Sequence, residues 1–289
     1  MKLKILHKGH NMEKYIDLHT HSTCSDGTLT PEEVVKEAKN AGLTAIALTD
    51  HDTIDGLSEA IEAGKKYGIE VITGIEFSVS ADTEMHLLGL NFNLDCPEIT
   101  DILDEMIIQR EKRNVKVVKL LSDIGINITL EDIARESTSK VTGRSQIAKA
   151  MLKKGYVSGI KEAFDKYLSF GRPAFVERAS LTPEDAIRII KKSGGRAFLA
   201  HLNQTEKTDN ELYSILSHLK ECGLDGIEGY YTEYTDDMNM RYRKMAQDLG
   251  LMLSGGSDFH GANKDGYNIG TGKGNLRIPH ELLEKIKKR

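Results

Sequence analysis

The chain has 289 residues, of which 39% are hydrophobic and 29% charged, with a formal net charge of −5. That length buries a sizeable core in one large α/β domain or two smaller ones, and no apolar run reaches the roughly 20 residues of a membrane helix. The acidic balance excludes a general nucleic-acid coat but not a small anionic substrate, because bound cations and a few arginines invert the local potential.

Apolar strands and helices alternate through the first third. Tyr15-Ile-Asp-Leu-His19 reads as a strand ending at a histidine motif. Thr30, Pro31 and Glu33 then open a helix as N-cap, first-turn proline and capping-box acid. It stops at Ala41-Gly42. Thr44-Ala-Ile-Ala-Leu48 is a buried strand ending at Asp50-His51-Asp52. A helix over Leu57–Tyr67, a strand over Glu70–Ile75 ending at Glu76, and a strand over Met85–Phe92 containing His86 follow. From Pro97 to Phe170 the pattern is helical only, with Ile99, Ile102, Leu103, Met106, Ile107, Val117 and Leu121 on one stripe. Shorter pieces are expected near Leu130–Arg135, Ser145–Lys153 and Ile160–Leu168.

The α/β rhythm then returns. Thr182-Pro183 opens a helix, and Arg196-Ala-Phe-Leu-Ala200 is a strand ending at His201. A helix near Asn210–Cys222, the strand Asp225–Tyr231, a helix near Asp237–Leu249 and the strand Leu251–Ser254 lead to Asp258 and His260. The alternation predicts a parallel sheet with helices outside it. Seven strands suggest a distorted barrel, with ligands just past the strand ends. The expected division is a tail over 1–13, a barrel over 14–97 and 171–289, and an all-helical insertion over 98–170. The first eleven residues are too short and too polar for a secretory signal. Three unevenly spaced cysteines give no disulfide framework and point to a reducing cytoplasm.

Six of the ten histidines stand in motifs shared with carboxylates: His19-x-His21 with Asp26, His51 between Asp50 and Asp52, His86, His201, and Asp258-Phe-His260, with Glu76 near them in the pattern. Each fragment alone has a bland account. His-x-His is common, Asp26 suits a Ser-Asp-Gly turn, and His86 reads as a half-buried strand histidine. Their joint occurrence at strand ends points instead to a polynuclear metal site. Asp50 and Asp52 are expected to orient imidazoles, as metal-bound histidines require. A carboxylate bridges two cations readily, so Glu76 suits a shared position.

The motifs His19-x-His21, Thr49-Asp50-His51-Asp52, Gly74-Ile75-Glu76 and Ser257-Asp258-Phe259-His260-Gly261 resemble the polymerase-and-histidinol-phosphatase (PHP) superfamily of metal-dependent phosphoesterases. The resemblance extends from about Tyr15 to Gly270 and includes Gly143-Arg144 and Glu162–Leu168. Within the superfamily it is nearest to stand-alone bacterial enzymes that hydrolyse nucleoside 3′,5′-bisphosphates and short RNA from the 5′ end. It implies a distorted (β/α)7 barrel and three adjacent metal positions. The first would take His19, His21, Glu76 and Asp258; the second Asp26, His51 and His201; the third Glu76, His86 and His260. Two departures stand out. Leu202 follows His201 where the family often has proline, and Gln146 lies where the subgroup usually has histidine.

The implied activity is hydrolysis of a phosphate monoester of a small nucleotide, with cations activating a bridging water and clamping the phosphoryl oxygens. Mixed imidazole and carboxylate donors suit two to three divalent ions, manganese first, then zinc or iron. Arg144 is the candidate phosphate contact, with Arg110, Arg113, Arg172 and Arg178 as weaker ones. Cys24 stands between His21 and Asp26, either near the metals or buried in a turn. Tyr230, Tyr231 and Tyr234 offer a stacking surface for a base or, equally, core packing. The helical stripe is insertion core or a dimer face, and no oligomeric state is fixed. The competing readings are a histidinol-phosphate phosphatase and a non-catalytic scaffold module. The partners expected are a phosphorylated nucleotide or short single-stranded RNA, with no membrane.

Overall fold

The apolar runs pair into one sheet whose seven strands follow one another in chain order among the described residues. The computed structural model describes residues 13–136, 142–176 and 181–288. The strands are β1 (Ile16–Thr20), β2 (Ala45–Leu48), β3 (Glu70–Ser78), β4 (His86–Leu90), β5 (Arg196–Leu199), β6 (Gly226–Tyr231) and β7 (Met252–Gly256). The helices are α1 (Pro31–Asn40), α2 (Leu57–Tyr67), α3 (Pro97–Asp123), α4 (Leu130–Arg135), α5 (Arg144–Lys153), α6 (Ile160–Ala163), α7 (Pro183–Lys192), α8 (Asp209–Glu221), α9 (Asp236–Leu249) and α10 (Glu281–Lys287). The expected capping box of α1 is present, with Thr30 accepting from the Glu33 amide. That fixes the register in which Val34, Val35 and Ala38 face the sheet. Each large apolar side chain so buried contributes roughly 1.5–3 kcal/mol.

The sheet is not wholly parallel, contrary to the sequence pattern. Strand β4 runs antiparallel to both β3 and β5. Periodicity reports which faces are buried but not strand direction, so this reversal leaves no trace in it. It has a functional consequence: the first residue of β4, His86, lies at the same mouth as the last residues of the parallel strands. The histidine that did not fit the strand-end rule is thereby explained. Strand β3 is also longer than expected, so Glu76 lies inside it. Asp50-His51-Asp52 continues β2 alongside, with the Asp52 amide donating to the Glu76 carbonyl at 3.0 Å.

Strands β1 and β7 nearly close the barrel. The Asp258 amide donates to the His19 carbonyl and the His21 amide to the Phe259 carbonyl, both at 2.9 Å. A Cβ on Gly256 would collide with the His19 backbone, so this seam needs glycine. Inside the barrel Ile16, Leu18, Ala45, Leu88 and Phe198 form one apolar cluster. The outer helices pack on the other face around Ile46, Ile75, Phe77 and Ile227.

Helix α3 belongs to two cores. Its N-terminal half sends Ile99, Leu103 and Met106 into the barrel cluster. Its C-terminal half sends Val117 and Leu121 into a separate cluster with Ile133, Ile147, Met151 and Leu168. Between the halves the buried positions are polar: Arg110, Arg113 and Asn114. The stripe is therefore an internal join rather than an exposed face. Beyond α6 the chain continues as a π-helical turn over Phe164–Leu168.

Candidate metal centre

All nine histidine and carboxylate side chains singled out in the sequence converge at the barrel mouth. Glu76 stands at the middle. Its Oε2 lies 3.2 Å from His19 Nε2, 3.2 Å from His21 Nε2 and 3.1 Å from His51 Nδ1. Its Oε1 lies 2.9 Å from both His86 Nδ1 and His201 Nε2. Asp258 Oδ1 is 3.3 Å from His21 Nε2 and 3.6 Å from His19 Nε2. Asp26 Oδ1 is 3.1 Å from His260 Nε2, and Asp26 Oδ2 is 4.0 Å from His51 Nε2.

This geometry corrects the expected grouping in one respect: His201 and His260 exchange places. His201 follows β5, beside the strand that carries His86, and the two imidazoles are 3.2 Å apart. His260 follows β7, across the seam from the loop that carries Asp26, and its ring stacks on His21 with centroids 3.9 Å apart. The groupings are thus His19, His21, Glu76 and Asp258; Asp26, His51 and His260; and Glu76, His86 and His201.

The donors fit divalent cations. His19 Nε2, both ring nitrogens of His21, His51 Nδ1 and Glu76 Oε2 are buried without hydrogen-bond geometry to any protein group. Buried polar atoms left this way are costly. A shared cation held by these residues would relieve them. Charge points the same way. Burial opposes ionisation of Asp26, yet His260, His51 and His21 hold its carboxyl well below the usual range. Burial likewise opposes Glu76, and His51, His19 and His86 outweigh it. Asp258 is held ionised against burial by Lys264, His19 and His260. Three carboxylates held anionic at one mouth, Glu76 and Asp258 buried and Asp26 half-buried, suit a cation.

The supporting carboxylates were only partly foreseen. Asp50 does not orient an imidazole; it accepts from the Ser22 amide at 2.7 Å and from the Ser22 and Ser25 hydroxyls, holding the loop that presents Asp26. Asp52 accepts from the Ser78 amide at 3.0 Å and pairs with Arg110, so it ties the barrel to α3. The imidazole partner is Glu228, which the sequence reading missed: Oε1 is 3.0 Å from His19 Nδ1 and Oε2 accepts from the His201 amide at 2.8 Å. Asp17 plays a similar part, accepting from the Ser257 amide and hydroxyl and the Gly270 amide. A carboxylate inside a buried strand was the available signal in both cases. Lys264, paired with Asp258, carried no such signal.

Two cavities open on the centre. One of about 310 Å³ lies over Glu76, His86, His201, Asp258, His260 and Lys264. The other, about 250 Å³, runs from Asp26, His51 and His86 to Arg110, Arg144 and Gln146, joining the barrel to the insertion. Arg144 begins α5, with its guanidinium 5.6 Å from the Phe175 ring centroid. Gln146, at the subgroup's histidine position, is buried and accepts from the Gly143 amide at 2.8 Å, shaping the turn that presents Arg144. Leu202, in place of proline, donates its amide to the Tyr234 hydroxyl at 2.8 Å, a bond proline lacks.

The remaining candidates separate cleanly. Arg113 is buried in α3 and Arg172 is exposed in a turn, while Arg178 lies outside the described residues. Cys24 Sγ packs beside Gly56, away from the cluster. Tyr231 and Tyr234 are buried, with Tyr231 donating to Asp258 Oδ2 at 2.9 Å, and Tyr230 is covered by Arg243. The tyrosines are therefore core and support, not a base-stacking surface. No helix among the described residues is long and apolar enough to cross a membrane.

The PHP domain model matches residues 17–192. The chain belongs to the PHP-domain family. This PHP protein is 37% identical over 250 residues to a 5′-3′ exoribonuclease of Haemophilus influenzae, covering 86% of this chain and 91% of that one. It is 31% identical over 257 residues to a 3′,5′-nucleoside bisphosphate phosphatase of Chromobacterium violaceum, covering 88% and 90%. It is also 31% identical over 253 residues to a phosphoribosyl 1,2-cyclic phosphate 1,2-diphosphodiesterase of Eggerthella lenta, covering 85% and 94%. The PHP fold is matched by the structure of an amidohydrolase from Chromobacterium violaceum with bound sulfate and no metal, at a TM-score of 0.84 and 30% identity over 95% of this chain and 98% of that one.

Proposed function

We propose that this PHP phosphoesterase, a metal-dependent hydrolase of phosphate esters, removes a phosphate from a small nucleotide. A nucleoside 3′,5′-bisphosphate is the foremost substrate, and short RNA is trimmed from its 5′ end at the same mouth. The observation that carries this reading is the cavity of about 250 Å³ shared by the histidine cluster and the arginines of the insertion. A monoester bound there has anionic oxygens toward the cation site and the rest of the molecule toward Arg144. The bisphosphatase and exoribonuclease among the relatives support the same substrate class.

His19, His21, Glu76 and Asp258 would hold one ion, Glu76, His86 and His201 a second, and Asp26, His51 and His260 a third. When bound, such ions supply an activated water at neutral pH and neutralise the phosphoryl oxygens; manganese is foremost, with zinc and iron as alternatives. The chain's own residues orient and exclude. Glu228 fixes the His19 ring, Asp50 fixes the Asp26 loop, and Arg144 offers a planar guanidinium suited to phosphate. A reducing cytoplasm is the proposed location, on the three unevenly spaced cysteines of the sequence.

The test is phosphate release by the metal-loaded protein across nucleoside 3′,5′-bisphosphates, mononucleotides, short 5′-phosphorylated RNA and histidinol phosphate. The expected result is the highest kcat/KM on the bisphosphate, with slower release from RNA. A preference for histidinol phosphate, or no release from any member, would contradict the proposal.

A further inference from the structure

Away from the barrel mouth, a second convergence of ligand types lies on the outer helical layer. Helix α8 carries His218, and Cys222, its C-cap in helical backbone geometry, follows one turn later on the same face. Helix α7 presents Glu184 from its first turn against that face. His218 Nε2 is 2.8 Å from Glu184 Oε1 and 3.9 Å from Cys222 Sγ. One donor atom from each residue falls within 4.8 Å of the other two.

We propose that Glu184, His218 and Cys222 form a peripheral site for a soft divalent cation, zinc foremost. Zinc takes thiolate, imidazole and carboxylate together, at about 2.0–2.3 Å in a tetrahedron. That places ligand atoms roughly 3.3–3.8 Å from one another, and the two separations above bracket this spacing. Small rotamer changes suffice to admit the ion, and the solvent-facing side leaves the fourth position to water. Both helices are fixed before binding. The Asp185 amide donates to Thr182 at the start of α7, and the Glu211 amide donates to Thr208 at the start of α8. The last turn of α8 also presents its carbonyl ends to the site, which favours a cation.

Sulfur sets this site apart from the centre at the mouth, whose donors are nitrogen and oxygen only. Thiolate selects zinc and cobalt over manganese, which prefers oxygen. Coordination releases the Cys222 thiol proton to solvent and replaces the hydrogen bond between His218 and Glu184. The bound ion would staple α7 to α8, the two helices flanking β5 and His201, and would raise thermal stability by binding only the folded chain.

The experiment uses the full chain with its mouth centre loaded with Mn²⁺, titrated with Co²⁺. A sulfur-to-cobalt charge-transfer band is expected, saturating at one equivalent and abolished by Zn²⁺. Cobalt exchanging into the mouth centre cannot produce this band, since no sulfur donor lies there. Cys222→Ser is expected to remove the band and leave phosphate release unchanged. His218→Ala and Glu184→Gln are expected to weaken the titration by tenfold or more, and Zn²⁺ is expected to raise Tm further in the wild type than in Cys222→Ser. Absence of the band, its persistence in Cys222→Ser, or a wild-type titration in both His218→Ala and Glu184→Gln would overturn the proposal. The band, the titration and the Tm shift do not depend on the protein being a phosphatase.

Discussion

Glu228 Oε1 lies 3.0 Å from His19 Nδ1, and both side chains are fully buried. The carboxylate accepts the Nδ1 proton and so leaves Nε2 facing Glu76 as a lone-pair donor. Its other oxygen accepts from the His201 amide at 2.8 Å. A single side chain on β6 therefore sets a donor from β1 and the backbone of a donor from β5.

Replacing Glu228 by glutamine tests this arrangement. The amide keeps the volume but can donate to Nδ1, which would place the imidazole proton on Nε2, toward the cation. Metal affinity is expected to fall by about 10–100-fold, measured by competition with a chromogenic chelator, while circular dichroism stays unchanged. Wild-type affinity in Glu228→Gln would show that the contact has no orienting role.

Arg110 and Arg144 line the same cavity, yet their losses are expected to read differently. Arg144→Ala should raise KM for a nucleoside bisphosphate by roughly tenfold or more while kcat changes little, the mark of a group that contributes binding alone. Arg110→Ala should also destabilise the fold by about 3–5 kcal/mol in urea unfolding, because the buried Asp52 carboxylate loses the guanidinium that pairs with it. Asp52→Asn added to Arg110→Ala should recover part of that loss. Equal unfolding midpoints for Arg110→Ala and Arg144→Ala would refute the distinction.

The insertion carries a pH-dependent element of its own. Glu162 pairs with Lys166 and accepts from the Ser158 hydroxyl and amide, and these contacts lower its carboxyl to about 2. A depressed acid contributes stability above its unfolded value, near 4.5, and loses it as pH falls toward the folded value. The Tm difference between wild type and Glu162→Gln should therefore be largest near neutrality and shrink between pH 4.5 and about 2. A difference that grew on acidification would contradict this assignment.

Much of this was legible in the sequence because ligands on a barrel follow apolar runs. His19, His51, His201 and His260 were each marked by a strand that stops at a polar motif. Strand direction was not legible: Leu87, Leu88 and Leu90 are buried equally well in a parallel or an antiparallel β4. The spatial neighbours of His201 and His260 depend on which strands meet at the seam, so their grouping was reversed. Glu228 and Asp17 were overlooked because a lone carboxylate in an apolar strand reveals its partner only after folding. Lys264 stands in a polar loop where lysine is unremarkable.

Glu76 and the eight side chains gathered around it hold more than one cation, and metal content is the measurement that bears on this. Protein stripped with chelator, reloaded with Mn²⁺ and desalted should carry about two to three equivalents by elemental analysis. Glu76→Ala, which removes the carboxylate that five imidazoles approach, should retain at most about one. Fewer than about two equivalents in the wild type, or unchanged content in Glu76→Ala, would contradict the account.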